Sequence, residues 1–268
     1  VTVPAFPRSL LLHRTLLWRL TQREVAGRYR GSVLGWSWSL LNPLLMLAVY
    51  TFVFSTVFKA RWPDLQQAGP LGFAINLFAG LIVFNLFAEC ISKAPTLIVS
   101  QPNYVTKVVF PLELLAATSV GAAAFHAATS LVVLGLFELV AMGSIPLTAL
   151  WLPLVWLPLL LGCLALGWLL SALGVYLRDL PQLVNVGLSI LMFLSAIFYP
   201  VTALPERWQP LLLANPLVLV IEQTRRILIS GASPSPLYLL VGIPAGIVLC
   251  EWSHRLFSKA RRGFADVI

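Results

Sequence analysis

Six apolar stretches occupy most of this chain: Leu34–Phe58, Leu71–Ile91, Leu112–Met142, Trp151–Tyr176, Leu183–Tyr199 and Pro236–Cys250, each closing at charged residues or at Pro/Gly clusters. Crossing the hydrocarbon core of a bilayer takes about 20 helical residues. Lipid offers no partner to a bare peptide group, so segments of this length are expected to bond internally as helices. The fold expected is an all-α polytopic membrane protein of six transmembrane helices. It forms a single domain over residues 1–268, with an amphipathic interface segment at 1–33, the six-span region at 34–252 and a cytoplasmic tail at 253–268.

Composition excludes the main competitor, a soluble globular enzyme, because 59% of the residues are hydrophobic and only 10% charged. The formal charge of +8 could indicate nucleic acid, but in a membrane protein Lys and Arg report orientation. With both termini inside, the cytoplasmic segments hold Arg8, Arg14, Arg19, Arg23, Arg28, Arg30, Lys93, Lys107, Arg178, Arg255, Lys259, Arg261 and Arg262. Only Lys59, Arg61, Arg207, Arg225 and Arg226 fall elsewhere. That asymmetry predicts a multi-pass protein of the cytoplasmic membrane with cytoplasmic N and C termini, and no nucleic-acid partner. Cys90, Cys163 and Cys250 form no close-spaced pair, so neither a disulfide framework nor a metal site is expected. The N-terminal segment alternates apolar and basic residues without a compact apolar core, and the first span is expected to direct insertion itself.

Along the chain, Ser9–Gly31 places Leu10, Leu17, Leu20 and Val25 near one helical face and its arginines mostly away from it, which suits a helix in the headgroup plane. Asn42-Pro43 lies in the first turns of span one, where proline frees a carbonyl and a kink is expected. Tyr50, Phe54 and Phe58 recur every four residues as one aromatic stripe. The stretch 93–110 is too Pro-rich to span and too apolar for a solvated loop, so a short helix packed on another protein is expected there. His126 falls deep in span three, where hydrogen bonding of a neutral ring to a neighbouring helix is expected; no second mid-membrane acid accompanies it to make a proton relay, and Glu89, Glu113, Glu138 and Glu251 fall near span ends, where they can snorkel or pair. Asp179 and Pro181 suit the cap and first turn of the next helix. Residues 199–231 are too broken by proline for one crossing. Two re-entrant periplasmic helices are expected there, about Pro205–Ala214 and Leu217–Ile229, with Glu222 reaching Arg225 and Arg226.

No Gly-x-x-x-x-Gly-Lys-Ser/Thr element occurs, no glycine precedes a lysine, and the three histidines lie far apart in sequence. No catalytic constellation emerges, and a conduit driven by a separate protein is the reading left standing.

The run Arg28-Tyr29-Arg30-Gly31-Ser32-Val33-Leu34-Gly35-Trp36-Ser37-Trp38-Ser39-Leu40-Leu41-Asn42-Pro43 resembles the start of the first span in type-2 ABC exporter permeases, particularly the polysaccharide group that includes Wzm. Lys107-Val108-Val109-Phe110-Pro111 is similar to the end of that family's coupling loop. Tyr176-Leu177-Arg178-Asp179-Leu180 matches its loop between spans four and five, and Phe198-Tyr199-Pro200 through Asn215-Pro216 its outer re-entrant segment. The resemblance implies a homodimer above two copies of an ATP-binding subunit, exporting an undecaprenyl-pyrophosphate-linked polysaccharide such as O-antigen. ATP and Mg would be bound by that partner, with no cofactor and no catalytic activity in this chain. It also implies site residues. Arg28, Tyr29, Arg30, Trp36 and Trp38 would receive the anionic lipid head and first sugars. Tyr50, Phe54, Phe58, Phe193, Phe198 and Tyr199 would line the channel. Arg19, Arg23, Glu24, Pro95, Leu97, Ser100, Asn103 and Tyr104 would take motion from the ATPase. The alternatives are a type-2 permease for a drug or small lipid, and a membrane enzyme acting on lipid-linked sugars, for which only the scattered acids Asp64, Glu206 and Asp179 are available.

Overall fold

A computed structural model describes residues 5–57, 69–106 and 110–267, and these are predominantly helical, with no strand among the described residues. Eleven α-helices are described: α1 Ala5–Leu12, α2 Arg14–Tyr29, α3 Trp38–Tyr50, α4 Gly69–Lys93, α5 Pro102–Thr106, α6 Glu113–Met142, α7 Leu152–Tyr176, α8 Leu180–Leu194, α9 Gln209–Leu213, α10 Pro216–Leu228 and α11 Pro236–Ala260. Among the described residues, five segments are long and apolar enough to cross a membrane: Gly35–Phe54, Leu71–Thr96, Glu113–Met142, Leu147–Tyr176 and Pro236–Ala265. The last, expected to stop at Cys250, runs ten residues further as α-helix to Ala260. The stretch expected as the fifth span contains a 15-residue helix, α8. At 1.5 Å per residue it is about 22 Å long, short of a hydrocarbon core by itself. Its end is fixed by Ala196 at φ +50°, a left-handed conformation that no helix continues through.

α4 is the axis of the bundle. Its apolar surface is enclosed by α6, α7, α8 and α10, while α3 on the outside is almost bare. Leu77, Val83 and Leu86 of α4 meet Val155, Leu159 and Cys163 of α7 and Ile221 of α10 in one apolar core. α11 packs along α7 because Gly242 and Gly246 admit Pro158 and Leu161 at distances where side chains would collide. Gly174 in α7 is required for a similar reason: a Cβ there would overlap the Pro95 carbonyl, so its absence seats the turn Ala94–Thr96 against α7.

The interface segment breaks at His13 into α1 and α2. Its expected face is the buried one, with Leu20 and Val25 buried and Leu10 and Leu17 packed against a second apolar core that holds Leu114, Trp168 and Phe257. That face rests on protein, since Thr21 of α2 touches Gly121 of α6. Pro43 stays inside α3, which continues through it and then widens into a π-helical segment, Thr51–Val57.

Glu113, in the first turn of α6, gathers one end of the molecule. Its carboxylate accepts from Ser9 Oγ of α1 at 3.0 Å and from Arg261 Nη1 of the tail at 3.3 Å, and its carbonyl accepts from Trp168 Nε1 of α7 at 2.9 Å. The N-terminal and C-terminal segments therefore meet. At the opposite end, Thr148 Oγ1 donates to the Ile227 carbonyl at 2.6 Å and Gly231 lies against Pro146.

The two helices expected between residues 199 and 231 are present as α9 and α10. Asn215 caps α10 by accepting from Leu217 N at 3.0 Å, and its Nδ2 donates to the Leu194 carbonyl at 3.1 Å, tying the end of α8 to the start of α10. Arg225 is buried. Its guanidinium donates to the carbonyls of Asn76, Ala196 and Ile197 at 3.1, 3.0 and 2.9 Å and to Glu222 at 2.9 Å. Arg226, expected to share Glu222, donates to the Ser233 carbonyl at 2.8 Å instead. Asp179 occupies the cap position of α8, but its side chain makes no cap bond.

Candidate functional site

Two helices, α2 and α4, create the site. α2 lays its apolar side on α6, which turns Arg28 and Glu24 toward the α4 face carrying Glu89 and Lys93, four residues apart and thus neighbours on one helix side. Between them opens a cavity of about 1150 Å3, lined by residues of α2, α3, α4, α6 and α8. One wall is polar, with Arg28, Tyr29, Glu89, Lys93 and His126. The lining also carries the apolar side chains of Pro43, Met46, Phe78, Leu81 and Leu188.

Glu89 organises the polar wall. Its carboxylate accepts from Arg28 Nη1 at 2.9 Å and Lys93 Nζ at 3.2 Å, and lies 3.0 Å from His126 Nδ1. Arg28 Nη1 is also 3.0 Å from His126 Nδ1. Lys93 donates as well to Glu24 of α2 at 3.3 Å, so two ion pairs clip α2 to α4. The ring of His126 bonds a neighbouring helix as expected, and its partner there is Glu89, an acid expected to pair near a span end. α6 is about 45 Å long, well over a hydrocarbon thickness, so counting residues from Glu113 says little about which groups His126 meets. Burial pushes the Tyr29 phenol up from its ordinary value, with Arg28 opposing the rise and Glu89 adding to it. The hydroxyl is thus held as a neutral donor at the cavity wall.

Of the residues expected to receive the cargo head, Arg28, Tyr29 and Trp38 line the cavity. Trp36 lies at 5.8 Å from both the Tyr29 and the Phe125 rings. Arg30 is exposed at the end of α2 and is not among the lining residues. Of the aromatic channel set, Tyr50 lines the cavity. Phe54 continues from it, stacking on Phe73 at 5.3 Å and on Phe198 at 6.3 Å, and Phe198 lies 5.8 Å from Phe193. Tyr199 donates its hydroxyl to the Phe193 carbonyl at 2.8 Å. Residues from the π-helical continuation of α3, from the end of α8 and from the turn after it therefore form one aromatic run, with Phe73 of α4 as a member the sequence did not suggest. Phe58 lies outside the described residues.

The coupling set is divided. Arg19, Glu24, Ser100 and Asn103 are exposed, Leu97 is half-buried and Pro95 is buried against Gly174. Arg23 donates to the Tyr104 hydroxyl at 3.1 Å, and the Tyr104 ring stacks on Phe110 at 4.4 Å. Phe110 in turn gives its carbonyl to Arg261 Nη2 at 2.9 Å, joining α2, α5 and the tail in one chain of contacts. Glu89, Lys93 and His126 are the lining residues that motif reading did not place together. The available signal was the presence of three ionisable side chains inside or at the end of apolar runs.

Residues 15–229 match the family described as ABC-2 type transporter. The chain is 31% identical over 267 residues to the O-antigen export system permease protein RfbA of Myxococcus xanthus, with 97% of this chain and 98% of that protein covered. It is 24% identical to a protein of the same description from Klebsiella pneumoniae, over 94% of this chain and 95% of that protein. The polysialic acid transport protein KpsM of Escherichia coli is 24% identical over 78% of this chain and 79% of its own length.

Proposed function

The chain belongs to the ABC-2 type transporter family, and on that premise we propose that it is the permease subunit of an exporter of lipid-linked polysaccharide across the cytoplasmic membrane. The cargo is an O-antigen-like glycan on an undecaprenyl-pyrophosphate carrier. A separate ATP-binding subunit supplies the energy and holds ATP and Mg, and this chain has no nucleotide site of its own. The observation that carries the reading is the cavity. Its volume of about 1150 Å3 exceeds the upper end of ordinary small-molecule pockets, about 1000 Å3. It offers cations on one wall, Tyr29 and Trp38 where sugar faces would stack, and an aromatic continuation through Tyr50, Phe54 and Phe198.

The working unit is a homodimer over two ATP-binding subunits. The bare apolar surfaces of α3 and its π-helical continuation (Leu44, Leu45, Val49 and Phe52) and of α8 (Leu183, Val186 and Ile190) support a second copy closing the conduit between the halves. The meeting of both terminal segments at Glu113 supports an even number of crossings. α7 reaches that end at Tyr176, whose hydroxyl donates to the Ala260 carbonyl at 3.4 Å, and residues 227–231 lie at the other end. α8 and the turn after it then complete six spans, with α9 and α10 re-entrant and both termini cytoplasmic. The chain Arg23–Tyr104–Phe110–Arg261 supports transmission of motion from the ATPase to α2 and the tail.

The test is deletion of the gene with staining of surface glycan, followed by affinity purification of the tagged protein in mild detergent. Loss of glycan, restored by the intact gene, together with a copurifying nucleotide-dependent ATPase, is the expected result. Unchanged glycan with heightened sensitivity to small amphiphiles would replace polysaccharide with a drug or small-lipid cargo.

A further inference from the structure

The polar wall of the cavity contains cations from separate helices converging on a single carboxylate. Arg28 of α2 and Lys93 of α4 both point their donors at Glu89, whose side chain is only 16% exposed against 47% and 38% for the two cations. The carboxylate therefore lies behind them, and the cations keep a side open to the cavity. Its charged lining residues are Arg23, Arg28 and Lys93 against Glu24 and Glu89, so Glu89 is the difference between a nearly balanced wall and a distinctly cationic one. His126 adds a second sign of an incomplete site. Its Nδ1 is engaged with Glu89 and Arg28, whereas its Nε2 is buried and has no hydrogen-bond partner.

We propose that Glu89 is a built-in counter-anion: in the empty protein it holds the cationic site that the phosphate head of the cargo takes over, with Arg28, Lys93 and His126 as the phosphate ligands. The inference rests on the lipid-linked cargo proposed above and names the group that controls its admission. An Arg fork and a Lys point charge suit phosphate oxygens, and Tyr29 and Asn85 on the same lining offer further donors. A carboxylate carries one negative charge where a diphosphate carries at least two, so the incoming head outcompetes Glu89 for shared cations. Once freed, Glu89 no longer clips α2 to α4, which links arrival of cargo to movement of the interface helix.

The experiment uses the full chain copurified with its ATP-binding partner in detergent, titrated calorimetrically with farnesyl diphosphate and, separately, with inorganic pyrophosphate. Removing the internal competitor by Glu89→Gln is expected to tighten farnesyl diphosphate binding about tenfold, and Arg28→Met or Lys93→Met to weaken it by about the same factor. Unchanged or weaker binding in a Glu89→Gln protein that melts like the wild type overturns the proposal. Should Glu89→Gln lose its cooperative melt, Glu89→Asp is the second variant; its shorter reach is expected to tighten binding severalfold, and no tightening overturns the proposal. Inorganic pyrophosphate binding as well as farnesyl diphosphate would overturn the assignment to a lipid head in favour of a free phosphate. Glycan export is scored independently. Diphosphate binding indifferent to Glu89 defeats this inference and leaves the export reading intact. Tightening by Glu89→Gln, in a strain whose surface glycan does not depend on the permease, supports the anion site and defeats the export reading.

Discussion

Replacing Arg225 by methionine removes a buried cation that joins three parts of the chain. The guanidinium bonds the carbonyl of Asn76 in α4 and the carbonyls of Ala196 and Ile197 in the turn that ends α8, while its own backbone belongs to α10. Methionine is close in volume, so the cost lies in the carbonyls left unpaired and not in a cavity. Each buried acceptor without a donor costs about 1–3 kcal/mol; the Asn76 carbonyl keeps its partner within α4, and the Ala196 and Ile197 carbonyls, each at the middle of that range, give roughly 4 kcal/mol. Glu222, at 40% side-chain exposure, is rehydrated and adds little. For a chain of this size, 1 kcal/mol moves a melting midpoint by about 2–4 °C, so Arg225→Met is expected to melt roughly 10 °C below the wild type. The buried free thiols Cys90, Cys163 and Cys250 provide the assay, because a thiol-reactive dye reads their exposure on heating in detergent. Arg225→Lys is expected to fall between the two, since an ammonium cannot reach the carbonyls with the planar fork that Gly80 leaves room for. A midpoint for Arg225→Met within about 2 °C of wild type would refute the view that this residue anchors α10.

Gly174→Ala is expected to push the turn Ala94–Thr96 off α7 by its clash with the Pro95 carbonyl; overpacking costs about 1–3 kcal/mol, seen as a lower melting midpoint. Asn215→Ala removes both the α10 cap and the bond to the Leu194 carbonyl, and a loss of about 1–2 kcal/mol is expected in the same assay. Tyr104→Phe deletes the acceptor for Arg23 while keeping the ring stacked on Phe110. Expression and melting should be unchanged while glycan export falls severalfold; full export would remove this contact from the coupling path. Phe54→Ala combined with Phe198→Ala interrupts the aromatic run, and export is expected to fall well below either single variant without loss of assembly with the ATP-binding subunit.

Much of the architecture was legible because lipid makes backbone bonding a local matter. A run of about 20 apolar residues must be a helix, so α4, α6 and α7 lie within a few residues of where hydropathy puts them. The proline-broken stretch after Tyr199 resolves into α9 and α10 for the same local reason, and Leu20 and Val25 were identifiable as the buried face of α2 from helical periodicity alone. The length of α8 was not legible, because the left-handed Ala196 that ends it is held by Arg225, twenty-nine residues further on.

The candidate site divides along the same line. The chemistry of Arg28, Tyr29 and Trp38 could be read from their residue types and their place before the first span. The meeting of Arg28 with Glu89 and His126 spans sequence separations of 61 and 98 residues. The sequence determined which residues are apolar, which helices they build and which side of each helix seeks cover. Only the tertiary structure decided which of those sides face one another, because side-chain periodicity specifies an angle about a helix axis and carries no information about the neighbour found there.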